Sequence, residues 1–282
     1  MKTLHVDTGR EMRGGQWQAL YLVERLRDAT LLAPLSSPLL DETRRRGLEA
    51  HPLSFAALAR LARKTNLVHA HDARAHTLAA ALPGARLVVS RRVAFPVHRG
   101  MLSRLKYARA DLYLAVSRYV ARQLEEAGVA QEKIRVVYDG VPIPPAGGPE
   151  PGRIVALPKK SVQIPGFAIH LTTDLWQDLS TASVFLYVSE MEGLGSAVLA
   201  AMAAGVPVIA SRVGGLPEIV EHERTGLLVE SPDELAPAVR RLLDDPAGAA
   251  CMGREGRERV KRQFSIEAMV EGTLHAYEEV LG

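Results

Sequence analysis

Short apolar runs alternate with amphipathic stretches through the first half of the chain. The apolar runs predict strands at residues 3–6, 29–33, 67–71, 86–90, 112–116 and 134–137. The stretches between them predict helices; residues 16–27, for example, carry Leu20, Val23 and Leu26 at helical spacing. Strands that alternate with helices are typical of a parallel sheet with crossover helices, so the sequence predicts an α/β fold of the doubly wound class.

The Pro- and Gly-rich residues 142–152 separate this half from a second one of the same kind. We therefore predict a first domain over residues 1–141, a linker over 142–152 and a second domain over 153–264. The apolar runs of the second half predict strands at 153–157, 184–188, 206–210 and 226–229. A helix over 265–282 begins at Ser265, a favourable N-cap residue, and carries an apolar stripe that we expect to pack back toward the first domain.

With 282 residues, 47% apolar and 24% charged, the chain has the composition of a globular protein with enough apolar surface for two cores. Cys251 is the only cysteine. It excludes an internal disulfide bond, fits a reducing compartment and is expected to be buried. The N-terminus has no signal-peptide pattern, and no apolar run is long enough to span a bilayer. These features predict a cytoplasmic protein, with a peripheral position at the inner face of the membrane left open.

Arginines cluster along the chain although the formal net charge is only +3. The clusters lie at residues 44–46, 91–92, 99–109 and 254–262. Most of them are typical of solvated helix faces; attraction to anionic substrates or to an anionic membrane surface is the alternative. Nucleic acid is not favoured as a partner, because aromatic residues make up only 5% of the chain and none interleave the basic runs.

Three glycine-rich turns follow predicted strands, where open parallel sheets bind their ligands. The first contains Gly193, Leu194, Gly195 and Ser196, and its backbone could approach a phosphate at the N-terminus of the next helix. Glu192 would accept hydrogen bonds from sugar hydroxyls; a tight turn with a solvated Glu192 is an equal alternative. The second turn, at residues 214–218, is by itself typical of a plain helix start.

The third turn, Arg13–Gly14–Gly15, follows the first strand and would place amides of Gly14 and Gly15 at the same edge of the sheet. It does not have the GxGxxG spacing, so a nicotinamide cofactor is not indicated. His69 and His71 alternate along one strand and should point to opposite faces, which argues against a metal site. His71 lies at the carboxyl end of its strand, where the reactive groups of such sheets are found. It is either a hydrogen-bonded structural histidine or a catalytic one, and the sequence leaves both roles open.

The run EGLGSAVLAAMAAGVPVIASRVGGLPEIVEHERTGLLV resembles the signature stretch of the GT-B fold glycosyltransferases of family 4. The Asp139–Gly140–Val141–Pro142 segment and the last forty residues are similar to the same family. The resemblance implies two Rossmann-like domains and a retaining transfer from a nucleotide-diphosphate sugar, with no metal and no cofactor. It also implies that the second domain holds most of the donor, and it suggests a role in cell-envelope polysaccharide synthesis.

Two departures from the family pattern concern the donor site. The family places a second Glu eight residues after the first, where it holds the ribose; this chain has Ala200 there. The second domain is also too short for two further strand–helix units, which normally supply an Arg and a Lys for the diphosphate. Arg153 and Lys159 or Lys160 are the candidates to replace that pair.

Two hypotheses follow from the residues and the resemblance together. The first is a glycosyltransferase in which the amides of residues 193–196 and of Gly14 and Gly15 bind the donor phosphates. Glu192 then orients the sugar, and His71 contacts the sugar or an acceptor, which is a sugar, a lipid-linked sugar or another small molecule. The second hypothesis is a degenerate, non-catalytic relative that binds a sugar or a partner protein.

Overall fold

The computed structural model describes residues 1–97, 100–145, 147–160 and 163–282. Arg99 of the basic run at 99–109 and Ala146 of the linker at 142–152 lie outside the described residues. The chain divides into two compact units. The first unit is Met1–Tyr138 together with Met269–Gly282, and the second unit is Asp139–Ala268.

The first unit contains a parallel sheet of seven strands in the order β3-β2-β1-β4-β5-β6-β7. Its strands are β1 (Lys2–Val6), β2 (Asp28–Ala33), β3 (Ala50–Pro52), β4 (Leu67–Ala70), β5 (Leu87–Arg91), β6 (Leu112–Ala115) and β7 (Ile134–Val136). The order reverses direction at β1 and β4, as in a doubly wound sheet. This confirms the predicted fold class.

Helices connect these strands. They are α1 (Gly14–Arg25), α2 (Pro38–Arg45), α3 (Phe55–Ala62), α4 (Ala73–Ala80), α5 (Met101–Arg109) and α6 (Arg118–Glu126). Side-chain oxygens of Ser54, Asp72 and Ser117 cap α3, α4 and α6 by accepting hydrogen bonds from first-turn N–H groups. The sequence pattern predicted α6 and its Ser117 cap correctly, but it missed α4 and α5.

The last helix, α12 (Ile266–Leu281), contributes to the core of the first unit. Ala276 and Tyr277 pack there against residues of β4, β5 and β6, such as Leu67 and Val88. At the start of the helix, Ser265 Oγ accepts a hydrogen bond from the backbone N–H of Ala268 at 3.2 Å, so the predicted N-cap is confirmed.

The second unit contains a parallel sheet of five strands in the order β12-β11-β10-β8-β9. Its strands are β8 (Ile154–Ala156), β9 (Ile169–Leu171), β10 (Val184–Tyr187), β11 (Val208–Ser211) and β12 (Leu227–Val229). Its helices are α7 (Leu175–Leu179), α8 (Ser196–Ala203), α9 (Leu216–Ile219), α10 (Leu235–Asp244) and α11 (Pro246–Gln263). Strand β9 was not predicted, because it is a short edge strand whose residues are partly or fully exposed.

The burial of Cys251 and the presence of membrane-spanning helices were two further subjects of the sequence analysis. Cys251 lies on α11 with its side chain exposed, so the prediction of a buried cysteine is wrong; the core of that helix is instead formed by residues such as Ala249 and Met252. Within the described part of the chain, no helix combines the length and the apolar character needed to cross a bilayer.

Candidate functional site

His71 lies just beyond the end of β4, and its ring lies on the same side of the strand as that of His69. The two ring centroids are 4.1 Å apart. The prediction that these side chains point to opposite faces is therefore wrong. Side chains of an extended strand alternate with a period of two residues, so positions 69 and 71 share one face, and the expectation of opposite faces misapplied this period.

His5 of β1 joins this pair and forms a buried cluster of three histidines. His5 Nδ1 and His71 Nε2 are 3.0 Å apart, and His5 Nε2 lies 3.0 Å from the Thr3 hydroxyl. Burial lowers the pKa of all three imidazoles, that of His5 to about 3. The cluster is therefore neutral at neutral pH.

His69 anchors the cluster to two other elements. Its Nδ1 is 2.5 Å from the hydroxyl of Tyr277 on α12, and its Nε2 is 2.8 Å from Ser90 Oγ on β5. Because β5 and α12 are far from β4 in the chain, no local sequence pattern could indicate these partners. They fix the His69 ring, against which the His71 ring packs.

Arg92, directly after β5, sets the tautomer of His71. Its guanidinium Nη1 lies 3.4 Å from His71 Nδ1. A guanidinium can only donate, so Nδ1 of His71 accepts and its Nε2–H donates to His5 Nδ1. His5 Nε2–H then donates to the Thr3 hydroxyl. Sequence reasoning noted Arg92 only as part of a basic pair; its position after a buried strand was the available signal.

The three histidines are the described residues that could share a metal ion, since one ligand atom from each lies within 4.8 Å of the others. Every ring nitrogen of the cluster already has a hydrogen-bond partner. Arg92 adds a positive charge at one end. An added cation would have to displace these partners and face the guanidinium, so hydrogen bonding and charge both disfavour a metal here.

Two carboxyl groups lie at the same edge of the first sheet. Asp7, directly after β1, is fully buried and accepts hydrogen bonds from Gly9 N–H at 2.7 Å and from Gln16 Nε2 at 3.0 Å. Burial raises the pKa of Asp7, and the nearby carboxylate of Asp72 raises it further. Asp72 in turn accepts from the N–H and hydroxyl of Thr8. The sequence-based analysis missed Asp7.

Gly14 and Gly15 form the first turn of α1, beside Arg92. A β-carbon on Gly15 would lie 3.9 Å from Arg92 Cδ, and neither glycine has a positive φ. The structure therefore brings the predicted Gly14–Gly15 turn and His71 next to the same side chain, that of Arg92. This edge of the first unit can bind an anionic or hydroxyl-bearing group through Arg92 and the α1 N-terminus.

Glu192 is held at the carboxyl edge of the second sheet by Tyr187, at the end of β10, and by Lys160, four residues after β8. Its carboxylate accepts hydrogen bonds from the hydroxyl of Tyr187 and from the N–H of Gly193, the latter at 3.1 Å. Lys160 Nζ lies 3.7 Å from the same carboxylate and donates to Ser189 Oγ at 2.6 Å. Glu192 is thus fixed in place and is not a freely solvated turn residue.

The glycines of the two second-unit turns allow the turns to pack on each other. Gly214 has φ +57°, and any β-carbon on it would overlap the carbonyl oxygen of Glu192. Gly215 N–H donates to that same oxygen at 3.1 Å. Gly195, with φ +105°, is the N-cap of α8 and would clash with Leu216 if it carried a side chain. These three glycines allow close backbone packing. The sequence analysis had assigned Gly195 to the approach of a ligand and the turn at 214–218 to a plain helix start.

The remaining predicted donor residues differ in position. Leu194 is buried, whereas Ser196 begins α8, whose N-terminus is capped by no side chain of the described residues. Lys159 and Lys160 line a cavity of about 1040 Å³ beside the Glu192 turn. Arg153 precedes β8 and therefore lies at the opposite edge of the sheet, ion-paired with Asp178 at 2.5 Å. Arg153 is not part of this site, and Lys160 rather than Lys159 contacts Glu192.

Comparisons with known proteins agree with this architecture. The family model described as Glycosyltransferase Family 4 matches residues 12–143, and the one described as Glycosyl transferases group 1 matches residues 145–245. A GDP-mannose-dependent alpha-(1-6)-phosphatidylinositol monomannoside mannosyltransferase of Mycobacterium tuberculosis is 49% identical over 82 residues, which is 28% of this chain and 21% of that protein. The glycogen synthase of the same species is 32% identical over 170 residues, 56% of this chain and 41% of that protein.

The chain thus aligns with less than half the length of these curated relatives. Among solved structures, that of Anabaena HepE in complex with UDP superposes with a TM-score of 0.87 at 15% identity, over 99% of this chain and 100% of that one. The same protein has been solved with UDP-glucose. At this identity the likeness establishes the fold. Taken with the two family models, it shows that the chain belongs to the family 4 glycosyltransferases and has their GT-B fold.

Proposed function

We propose that this protein transfers a sugar from a nucleotide-diphosphate sugar to an acceptor. The observation that carries the proposal is the Glu192 arrangement: a carboxylate oriented by Tyr187 and Lys160 beside a cavity at the carboxyl edge of the second sheet. This is the edge at which α/β sheets bind their ligands. The named activities of the mycobacterial relatives and the UDP complexes of HepE support a nucleotide-sugar donor.

The roles in the second unit follow from charge. As the bond between the sugar and the diphosphate breaks, negative charge grows on the leaving phosphate oxygen. We assign the stabilisation of that charge to Lys160, Lys159 and the N–H groups at the start of α8, around Gly195 and Ser196. The N–H of Gly193 is already bound to the Glu192 carboxylate, so it contributes by holding Glu192. Glu192 itself accepts hydrogen bonds from sugar hydroxyls.

In the first unit, His71, Arg92 and the Gly14–Gly15 turn are proposed to bind substrate. His71 is neutral, and its Nδ1 acceptor lies near the Arg92 guanidinium. A hydroxyl that displaces Arg92 from this nitrogen would donate to it, while the guanidinium binds an anionic group. Retention of configuration and independence from metal remain proposals that rest on the family resemblance. The acceptor is proposed to be a sugar, a lipid-linked sugar or another small molecule.

Ala200 supports one competing proposal, a non-catalytic relative that binds sugar or a partner. With alanine at this position the helix offers no carboxylate to the ribose of the donor. The donor would then bind weakly, since a hydrogen bond to a charged group contributes about 1.5–3 kcal/mol.

Donor hydrolysis and thermal protection distinguish the two proposals. Purified protein is incubated with UDP- and GDP-sugars, and release of the nucleotide is followed over time. In parallel, the melting temperature is measured with UDP and GDP. An active transferase is expected to release nucleotide, and Glu192→Gln should slow that release. Nucleotide binding without any release would favour the non-catalytic relative, and a lack of both would contradict the proposed donor.

A further inference from the structure

Large apolar side chains are concentrated on the outer face of α5 and on the segment before it. Leu102, Met101 and Leu105 are 80%, 77% and 63% exposed, and Phe95 is 67% exposed. No residue of α5 itself is buried. Such a concentration is unusual for a surface helix, whose apolar residues normally face the core. We call these four residues and Arg104 the α5 surface.

The other side of α5 attaches it to the first unit. The backbone carbonyl of Tyr107 accepts a hydrogen bond from the Tyr113 hydroxyl at 2.7 Å, and the Tyr107 hydroxyl accepts from Arg91 at 2.9 Å. Its ring also lies edge-on to His76. The helix is therefore held through Tyr107, while the face that carries the apolar residues stays exposed.

Basic residues flank the apolar stripe on both sides. At 100° per residue, Met101, Leu105 and Leu102 fall within one 100° arc, with Arg104 beyond one margin and Lys106 beyond the other. Arg109, at the last turn, also falls in this arc, and its guanidinium donates to the carbonyls of Leu82 and Ala85. The Arg104 guanidinium makes no hydrogen bond or ion pair with the rest of the described chain, and its side chain is exposed. An apolar stripe between basic margins is the pattern of a helix that lies in the plane of a membrane interface.

The surrounding sequence carries charge of one sign only. Residues 73–110 contain eight Arg or Lys residues and no Asp or Glu. Arg86 and Arg109 are ion-paired with Asp111, whereas Arg104 has no such partner in the described chain. A partner that presents negative charge together with an apolar phase complements this surface. A nucleic acid offers no apolar phase for four large aliphatic and aromatic side chains, whereas an anionic bilayer offers both components within a few ångströms of depth.

We propose that the α5 surface docks the protein on an anionic lipid bilayer, with Met101, Leu102, Leu105 and Phe95 entering the interface and Arg104 pairing with lipid headgroups. The segment that carries Phe95 follows directly on β5, at the sheet edge that holds Arg92 and His71. Docking would hold that edge near the membrane surface. The inference specifies the peripheral membrane contact that the sequence analysis left open, and it does not depend on the transfer reaction.

Vesicle co-sedimentation tests the proposal directly. The full chain is mixed with vesicles of phosphatidylcholine alone or with 30 mol% phosphatidylglycerol, and the bound fraction is measured against lipid concentration. Binding is expected only with the anionic vesicles and should weaken in high salt. The double variant Leu102→Glu/Leu105→Glu should bind at least about tenfold more weakly. Arg104→Gln should bind the anionic vesicles about fivefold more weakly, which corresponds to the contribution of one basic residue near the membrane surface.

Control variants separate this surface from folding and from catalysis. Leu171→Glu places the same charge at a 48% exposed leucine of the second unit, and it should bind vesicles like the wild type. Glu192→Gln should also bind normally, so a failed transfer reaction leaves this inference intact. The double variant should keep its melting temperature and its donor hydrolysis in the absence of lipid.

Three results would overturn the proposal. The first is equal binding to neutral and anionic vesicles, and the second is unchanged binding by the double variant. The third is a wild-type dimer in sedimentation velocity that Leu102→Glu converts to a monomer, because the α5 surface would then be covered by a second copy of the chain.

Discussion

The hydroxyl of Tyr187, at the end of β10, donates a hydrogen bond to the carboxylate of Glu192 five residues later. Burial raises the pKa of Tyr187, and the carboxylate raises it further, so the phenol keeps its proton and acts only as a donor. With Gly193 N–H on the other carboxylate oxygen, the tyrosine restricts Glu192 to one orientation. The Glu192 carboxylate is thereby preorganised, as its proposed contact with sugar hydroxyls requires.

Removing the Glu192 carboxylate should impair turnover without unfolding the protein. Glu192→Ala keeps the backbone carbonyl that binds Gly215, so the melting temperature should change little. Loss of hydrogen bonds to a charged group should lower kcat/KM for the donor about 10- to 100-fold. Tyr187→Phe only frees the Glu192 carboxylate to rotate, so it should lower kcat/KM by a smaller factor than Glu192→Ala does. Tyr21→Phe on α1 is the control, and an effect equal to that of Tyr187→Phe would argue against the positioning role.

Gly214 should be sensitive to substitution for two separable reasons. Gly214→Ala introduces a side chain at φ +57°, which costs about 1–2 kcal/mol, and it also forces the turn away from the Glu192 carbonyl. Gly166→Ala is a matched control, because Gly166 has φ +85° but no atom within 4 Å of an added β-carbon. We expect Gly214→Ala to lower the free energy of unfolding, measured in urea, by at least about 2 kcal/mol more than the control substitution does. Equal losses would show that backbone conformation alone makes glycine necessary at position 214.

The sequence alone indicated the elements that depend on local pattern. Period-2 and period-3.6 spacing predicted most strands and helices, and the strand-end rule directed attention to His71 and Glu192. What escaped prediction depends on contacts between distant segments. Arg92 meets His71 because β5 pairs with β4, and Gly214 is needed because its turn packs on Glu192. Helix α5 escaped prediction because residues 99–109 were interpreted as a basic cluster, although Met101, Leu102 and Leu105 share one helical face.

The buried histidines should make the protein acid-sensitive. A histidine whose pKa is lowered in the folded state binds a proton only in the unfolded state between its two pKa values. For His5, stability should therefore fall as the pH drops from about 6.5 toward 3, by up to about 1.4 kcal/mol per pH unit. Burial lowers the pKa of His69 and His71 as well, which adds to the same trend.

Urea unfolding at several pH values between 7.5 and 5 measures this dependence. His5→Gln should reduce the slope of the unfolding free energy against pH by up to the equivalent of one proton, about 1.4 kcal/mol per pH unit. His275→Gln, at an exposed histidine, controls for the loss of an imidazole. The raised pKa of Asp7 acts in the opposite direction, because the folded state then takes up the proton first. The measurements therefore stay above pH 5. An unchanged slope in His5→Gln would contradict the neutral buried cluster.

Metal removal should leave donor hydrolysis unchanged. The ring nitrogens of His5, His69 and His71 all have hydrogen-bond partners, and the positive charge of Arg92 opposes a further cation. We expect purified protein to contain well under one equivalent of zinc or manganese by elemental analysis, and EDTA to have no effect on rate. Stoichiometric metal that is lost in His71→Ala would instead identify the cluster as a metal site.

Ala200 offers the sharpest test of how the donor is held. Ala200 is only 4% exposed and lies on α8 one turn after Ser196. It shares a helix face with Ser196 and Ala197, which are the partly exposed residues of α8. Helix side chains lean toward the N-terminus, so a glutamate at position 200 would extend toward the carboxyl edge of the sheet, where the donor is proposed to bind.

The natural chain should bind UDP weakly, and Ala200→Glu should tighten binding about tenfold or more if the new carboxylate reaches the ribose hydroxyls. The gain should disappear with UDP that lacks both ribose hydroxyls. Ala201→Glu is the control: Ala201 is fully buried, so a glutamate at this position should only destabilise the protein. A gain that persists without the ribose hydroxyls would mean that the carboxylate acts elsewhere, and no gain with a stable fold would mean that the ribose lies beyond its reach.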